Sequence, residues 1–182
     1  MYLIRFIFEM SAGLLLFGFL AAGFYFAAEE NIGKLEKITR NRIAGLLIAL
    51  PALAACVPHA QIVAPGILQN PVLLWSLAIL IPVLSYFYLD YYTARAGAGA
   101  IIILAYDLIH YAYEEQLPGA AVLTVAAWLF GFAAIWVSGK PHALRDWFRL
   151  AARNRKFSIS AAAASLLCGA CFAAALIGGL QK

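Results

Sequence analysis

Charge is scarce in this sequence. Only 12% of its 182 residues are Asp, Glu, Lys or Arg, where a soluble domain carries about 25%. With 65% hydrophobic residues and a mean hydropathy of +0.87, the chain lacks the surface a soluble globule needs. Cysteine is scarce too. Three thiols cannot build a disulfide framework, and Cys56, Cys168 and Cys171 all lie inside apolar runs, where thiols serve as small packing residues. The "CGAC" at 168–171 has the spacing of a redox pair, but it sits mid-run without a second pair to relay electrons, so packing is the expected role. Catalytic signatures are absent as well: there is no glycine-rich nucleotide loop, no HExxH, no serine-nucleophile motif and no selectivity-filter signature. No recognised motif therefore points to catalysis, and neither a cofactor nor a metal is expected.

What is present is apolar sequence in long stretches. Runs of about 20 apolar residues read as membrane-spanning helices. They predict an all-α, polytopic membrane bundle forming one integral membrane domain over 1–182, with six spans near 7–28, 43–63, 71–92, 97–113, 119–138 and 158–179. The first run is too long for the core of a secretory signal and contains Glu9, so it is expected to remain as a span. The fourth is the shortest, which leaves a re-entrant or five-span arrangement open. Pro51 and Pro58 in the second span and Pro82 in the third remove backbone donors and kink or end their helices unless neighbours compensate.

The basic residues divide unevenly between the two sides. Segments 29–42, 93–99 and 139–157 hold eleven of the thirteen Lys and Arg residues, leaving Arg5 and Lys182 for the other side. By the positive-inside rule the three basic segments are cytoplasmic and both termini are outside, in a cell (inner) membrane. The pI of 9.1 is accounted for by this rule and needs no nucleic-acid partner.

The 139–157 linker has a further pattern. Leu144, Trp147, Phe148 and Ala151 fall at i, i+3, i+4 and i+7, with Arg145, Arg149 and Arg153 on the neighbouring face. This predicts an amphipathic helix over about 141–155 lying on the inner leaflet, with its aromatic edge in lipid and the three arginines among anionic headgroups. Hairpins one and three also share a plan, a Gly-Lys step (33–34, 139–140) followed by Arg-Asn-Arg (40–42, 153–155), which reads as a weak parallel repeat or as chance. The small residues Gly97, Gly99, Gly131, Gly169, Gly178 and Gly179 allow close helix approach, within the chain, between copies or against other membrane subunits. Asp90 and Arg95 are expected to pair at the inner interface, within the aromatic belt "YFYLDYY".

One stretch departs from the grease. In "LAYDLIHYAYEEQLPG" at 104–119, Asp107, His110, Tyr111 and Glu114 share one helical face. Glu114 and Glu115 belong to the solvated outer end. Asp107 lies deeper, and an intramembrane carboxylate usually faces a bundle interior or water. Two readings remain open. Asp107 is held structurally, by a tyrosine neighbour or by Ser76, Ser85 or Thr124, or else Asp107, His110 and Glu114 form a proton or ion relay with His110 as Asp107's partner. His59 falls at the same level, but its spacing from His110 matches no known metal or haem ligand set. The function expected is thus a small multi-pass membrane protein moving or sensing a proton or small solute through this cluster. The alternatives are a non-catalytic subunit or scaffold of a larger complex, or a lipid-active membrane enzyme.

Overall fold

The computed structural model describes residues 2–117 and 119–180. Gln181 and Lys182, the latter assigned above to the outer side, lie outside that range, as does Pro118 of the "EEQLPG" break. Among the described residues the chain is all helix: α1 (Tyr2–Tyr25), α2 (Ile32–Thr39), α3 (Arg42–Val63), α4 (Pro71–Tyr88), α5 (Tyr92–Glu114), α6 (Ala120–Gly139), α7 (His142–Arg153) and α8 (Arg155–Leu180), with a single 3-10 turn at Gly66–Gln69. The six long helices α1, α3, α4, α5, α6 and α8 are each apolar enough to cross a membrane. The fourth span is a full one of 23 residues. It starts five residues earlier than its sequence suggests, because the turn falls at 89–91, with Tyr91 left-handed at φ 54°, and not at the glycines of "TARAGAG".

Local chemistry sets the helix starts at the basic end. Asn41 accepts from the backbone N–H groups of Ile43 and Ala44 at 3.0 and 3.3 Å, and Asn154 repeats this with Lys156 and Phe157 at 3.1 and 3.3 Å. The two Arg-Asn-Arg triplets therefore do the same work, capping the span that follows. Asn70 caps α4 in the same way, with Pro71 at the first helical position. Both α3 and α4 continue through their prolines.

Packing joins α1 lengthwise to α8, while α4, α3, α5 and α6 form a row of neighbours. The α1–α8 seam is aromatic side chain against glycine: a Cβ on Gly13 would run into the Phe172 ring, and one on Gly179 would meet Phe6 Cζ at 2.5 Å. Gly97 and Gly99, by contrast, face open space and bring no helix close. Gly45 is the tight point between α3 and α5, where an added Cβ would lie 2.7 Å from Tyr92 Cδ1 and 2.9 Å from the Thr93 nitrogen. Tyr92 in turn donates its hydroxyl to the Pro82 carbonyl at 2.9 Å, tying in α4. Gly45→Leu is accordingly expected to cost about 3 kcal/mol by overpacking against backbone, read as a fall in thermal midpoint in detergent. Gly99→Ala should leave that midpoint unchanged.

The amphipathic helix forms over His142–Arg153 as its period predicts, and part of its apolar face is buried within the protein. Phe148 and Ala151 are buried against Phe24, Ala27 and Ala162, with the Phe24 and Phe148 rings 4.9 Å apart. That face is covered by α8, by the end of α1 and by α2, a short helix not foreseen from the sequence that packs beside α7. Arg149 Nε meets Glu36 Oε1 of α2 at 2.6 Å, and Arg145 donates to Asp146 at 2.9 Å and to the Tyr91 hydroxyl at 3.0 Å. Arg95 pairs with the Ser138 carbonyl at 3.1 Å and makes no ion pair with Asp90. Arginine and lysine over aromatic rings (Arg40 on Tyr91, Lys140 on Trp136, Arg155 on Tyr25) complete a basic end at which α2, α7 and the α4–α5 turn gather.

Candidate functional site

The opposite end of the bundle brings together the N-terminal part of α1 and the C-terminal parts of α3 and α5. Each contributes ionisable side chains one to two turns from its end. Arg5 and Glu9 stand at i, i+4 on α1 and pair at 2.6 Å. Glu9 is only 3% exposed, and its second oxygen accepts from the Tyr111 hydroxyl of α5 at 2.9 Å. On its other side the Arg5 guanidinium reaches α3, with Nη2 2.6 Å from His59 Nε2 and 3.4 Å from the Ala55 carbonyl. His59 Nε2 is in turn 3.1 Å from Asp107 Oδ1. Asp107 is 1% exposed, and its Oδ2 has no hydrogen-bond partner.

The partner of Asp107 is therefore His59, and not His110 as the helical spacing suggests. A side chain one turn along the same helix lies beside Asp107, whereas α3 packs across its face. His110 turns outward to Glu114, Nε2 to Oε2 3.1 Å, and both are substantially exposed at 41% and 52%. Ser76 and Thr124 bond carbonyls of their own helices, Val72 and Ala120, and do not reach Asp107. The two clusters are linked through rings: His59 stands edge-on to Tyr106 at 4.9 Å, and Tyr106 stacks on His110 at 5.8 Å. The His59 and His110 rings are 6.4 Å apart, and no group of three or more metal-ligating side chains occurs among the described residues.

The contacts at His59 constrain the protons. A single ring nitrogen cannot both accept from a guanidinium N–H and donate to a carboxylate. If Nε2 carries hydrogen it donates to Asp107, and the Arg5 Nη2 contact is not a hydrogen bond. If Nε2 is bare it accepts from Arg5, and Asp107 faces a nitrogen that offers it nothing, so the carboxyl must hold its own proton. With His59 neutral in both, the second arrangement holds one proton more than the first.

Asp107 and Glu9 also line a cleft of about 310 Å³ between α1, α3 and α5. Its remaining wall is apolar, including Ala12, Leu16, Pro51, Ala52 and Ile103. A larger apolar cavity of about 1170 Å³, lined by α1, α2, α3, α5, α6, α7 and α8, shares Leu16, Phe19 and Ile48 with it. Cys168 and Cys171 sit in the wall of that second cavity.

Sequence reasoning missed Arg5 and Glu9 as members of the site, and placed His59 at its level without its partner. The argument applied to Asp107, that a charge inside an apolar run needs a partner, applies equally to Glu9 and would have found it. The pairing with His59 left no trace in spacing. No protein-family model, no curated protein and no solved structure matches the chain, so its function rests on the geometry of a six-span membrane protein with one buried ionisable cluster.

Proposed function

We propose that this protein carries or senses protons through the Arg5, Glu9, His59, Asp107 and Tyr111 cluster. The observation that carries the reading is Asp107, a fully buried carboxylate beside a cleft, with one oxygen on a histidine and the other buried and unbonded. Burying such a group costs several kcal/mol unless it is compensated, and a purely structural carboxylate would have both oxygens satisfied. Glu114 and His110 supply the connection to water. A proton taken up at that exposed pair passes to His59 across the gap between the two rings, with a bridging water, and comes to rest on His59 or Asp107.

The test is proton flux into proteoliposomes holding a pH-sensitive dye, after an external pH step between about 5 and 8, the range in which histidine titrates. Flux above that of protein-free vesicles supports the reading. Its absence, together with no proton uptake by the protein in detergent, removes it.

Orientation follows from charge. We place the basic end of the bundle, with α2 and α7, in the cytoplasm, and the polar cluster near the outer face of the cell membrane. Arg153, exposed and without an ion-pair partner among the described residues, is the arginine of α7 free for anionic headgroups, since Arg145 and Arg149 engage the protein. Single cysteines at the exposed positions His142 and Gln116 check the assignment in intact cells. An impermeant maleimide should label Gln116→Cys and leave His142→Cys untouched. The reverse pattern would invert the topology.

A further inference from the structure

The cleft beside Asp107 has a composition that selects its occupant. Apart from Glu9 and Asp107 it is lined by hydrocarbon. Phe8, Leu15, Phe19 and Leu47 form part of its wall and are also exposed on the outside of the bundle, so the cleft opens sideways, between α1 and α3, into lipid. A ligand would enter from the bilayer and must carry an apolar body.

Charge decides the rest. Facing Asp107 are Arg5 and Glu9 from α1, Cys56 and His59 from α3, and Tyr111 on α5 itself, while α6, packed along α5, bears no ionisable side chain. Arg5 and Glu9 neutralise one another at 2.6 Å. With His59 neutral, the cluster is left with one negative charge, on Asp107, whose Oδ2 is unbonded. A neutral acyl chain filling the cleft would leave that oxygen unsatisfied, and an anion would be repelled. A single positive charge, whether a proton on the His59–Asp107 pair or a cation in the cleft, restores balance.

We propose that the cleft between α1, α3 and α5 binds a lipophilic monocation, with the free carboxylate oxygen of Asp107 as counter-ion, and that cation and proton displace one another. The proposal rests on the proton reading above and adds the ligand class. The cation binds the ionised site, so at a pH where the site holds a proton its binding drives that proton off, and protonation expels the cation, because the cluster accommodates one positive charge and not two. The reciprocity is thermodynamic: if protons weaken cation binding, the cation must weaken proton binding by the same factor.

The probe is tetraphenylphosphonium, with tetraphenylborate as an anion of the same shape. Equilibrium dialysis against the full chain in dodecyl maltoside, with protein-free micelles subtracted, should give binding of the cation that tightens about tenfold or more from pH 5 to pH 8. Proton release should approach one per cation bound at the acid end of that range, where the site is protonated, and vanish at the alkaline end, read with a dye in weak buffer. Asp107→Asn should weaken cation binding by about tenfold or more and remove its pH dependence. Ala52→Phe, which fills the cleft and leaves the carboxylate in place, should abolish cation binding while proton uptake after a pH step persists, and it keeps the test available if the Asp107 variant does not fold. Equal binding of tetraphenylborate, or cation binding indifferent to pH, would mean simple partition into an apolar cleft and overturn the proposal. Proton uptake without any cation binding overturns the ligand class and leaves the relay standing. The loss of both removes the relay reading as well.

Discussion

Asp107→Asn is expected to reduce proton flux in proteoliposomes by about a hundredfold, the scale on which removal of a positioned proton-transfer group acts, with little loss of stability. The substitution keeps the shape of the side chain, and Oδ1 can still accept from His59 Nε2 at the 3.1 Å contact. What disappears is the negative charge and the second proton position, and the relay has no other place to put them: Glu9 is held by Arg5 and Tyr111. Folding should change by less than about 1 kcal/mol, since a neutral hydrogen bond replaces a charged one. Asp107→Leu separates the two roles. It removes the acceptor altogether, leaves His59 Nε2 without its carboxylate, and should lower stability by about 1–3 kcal/mol. A folded Asp107→Asn protein with unchanged flux across the histidine range would sink the relay reading and leave Asp107 as a structural partner of His59.

A large effect on stability should come from Arg5→Met. Arg5 holds Glu9 at 2.6 Å and bridges α1 to α3 through His59 and Ala55. Without it, Glu9 is an ionised group at 3% exposure whose remaining donor is the Tyr111 hydroxyl. Breaking a buried pair from one side costs about 3–5 kcal/mol, because the surviving charge is left uncompensated. Arg5 itself is partly exposed, so the lower end of that range is expected, about 3 kcal/mol. The double variant Arg5→Met, Glu9→Gln removes the stranded charge, keeps an acceptor for Tyr111, and should recover most of the loss. Thermal unfolding in detergent of the parent, both single variants and the double variant closes the cycle. If the single Arg5 variant lies within about 1 kcal/mol of the parent, then water or another cation reaches Glu9 and the pair is not the tie between α1 and α3.

The class of the molecule was legible because it depends on composition and run length, which are properties of the chain alone. A bilayer demands about 20 apolar residues per helix, and six such runs stand in the sequence for any reader. The uneven placement of Lys and Arg likewise gathered segments 29–42, 93–99 and 139–157 on one side, and the basic end of the bundle has that content. The period of Leu144, Trp147, Phe148 and Ala151 gave the helix α7 and its apolar face. The repeated Arg-Asn-Arg marked two helix starts, since an asparagine cap acts on the two or three residues that follow it.

Tertiary structure decided what those faces touch. The period of α7 is the same whether its aromatic edge rests on lipid or on Phe24 and Ala162, and only the placement of α1, α2 and α8 selects the second. Helical spacing put His110 one turn from Asp107, but a helix buries a residue against its neighbour helix and not against itself, so the contact fell to His59, 48 positions away in the chain. Glu9 and Tyr111, separated by 102 positions, meet for the same reason. Pairings of this kind are fixed by which helix lies against which and by the rotation of each about its axis. Six helices that are apolar nearly all round leave almost no amphipathic signal to specify either. The sequence thus determined that a charge in the fourth span needed a partner, and the packing of α1, α3 and α5 determined which one it received.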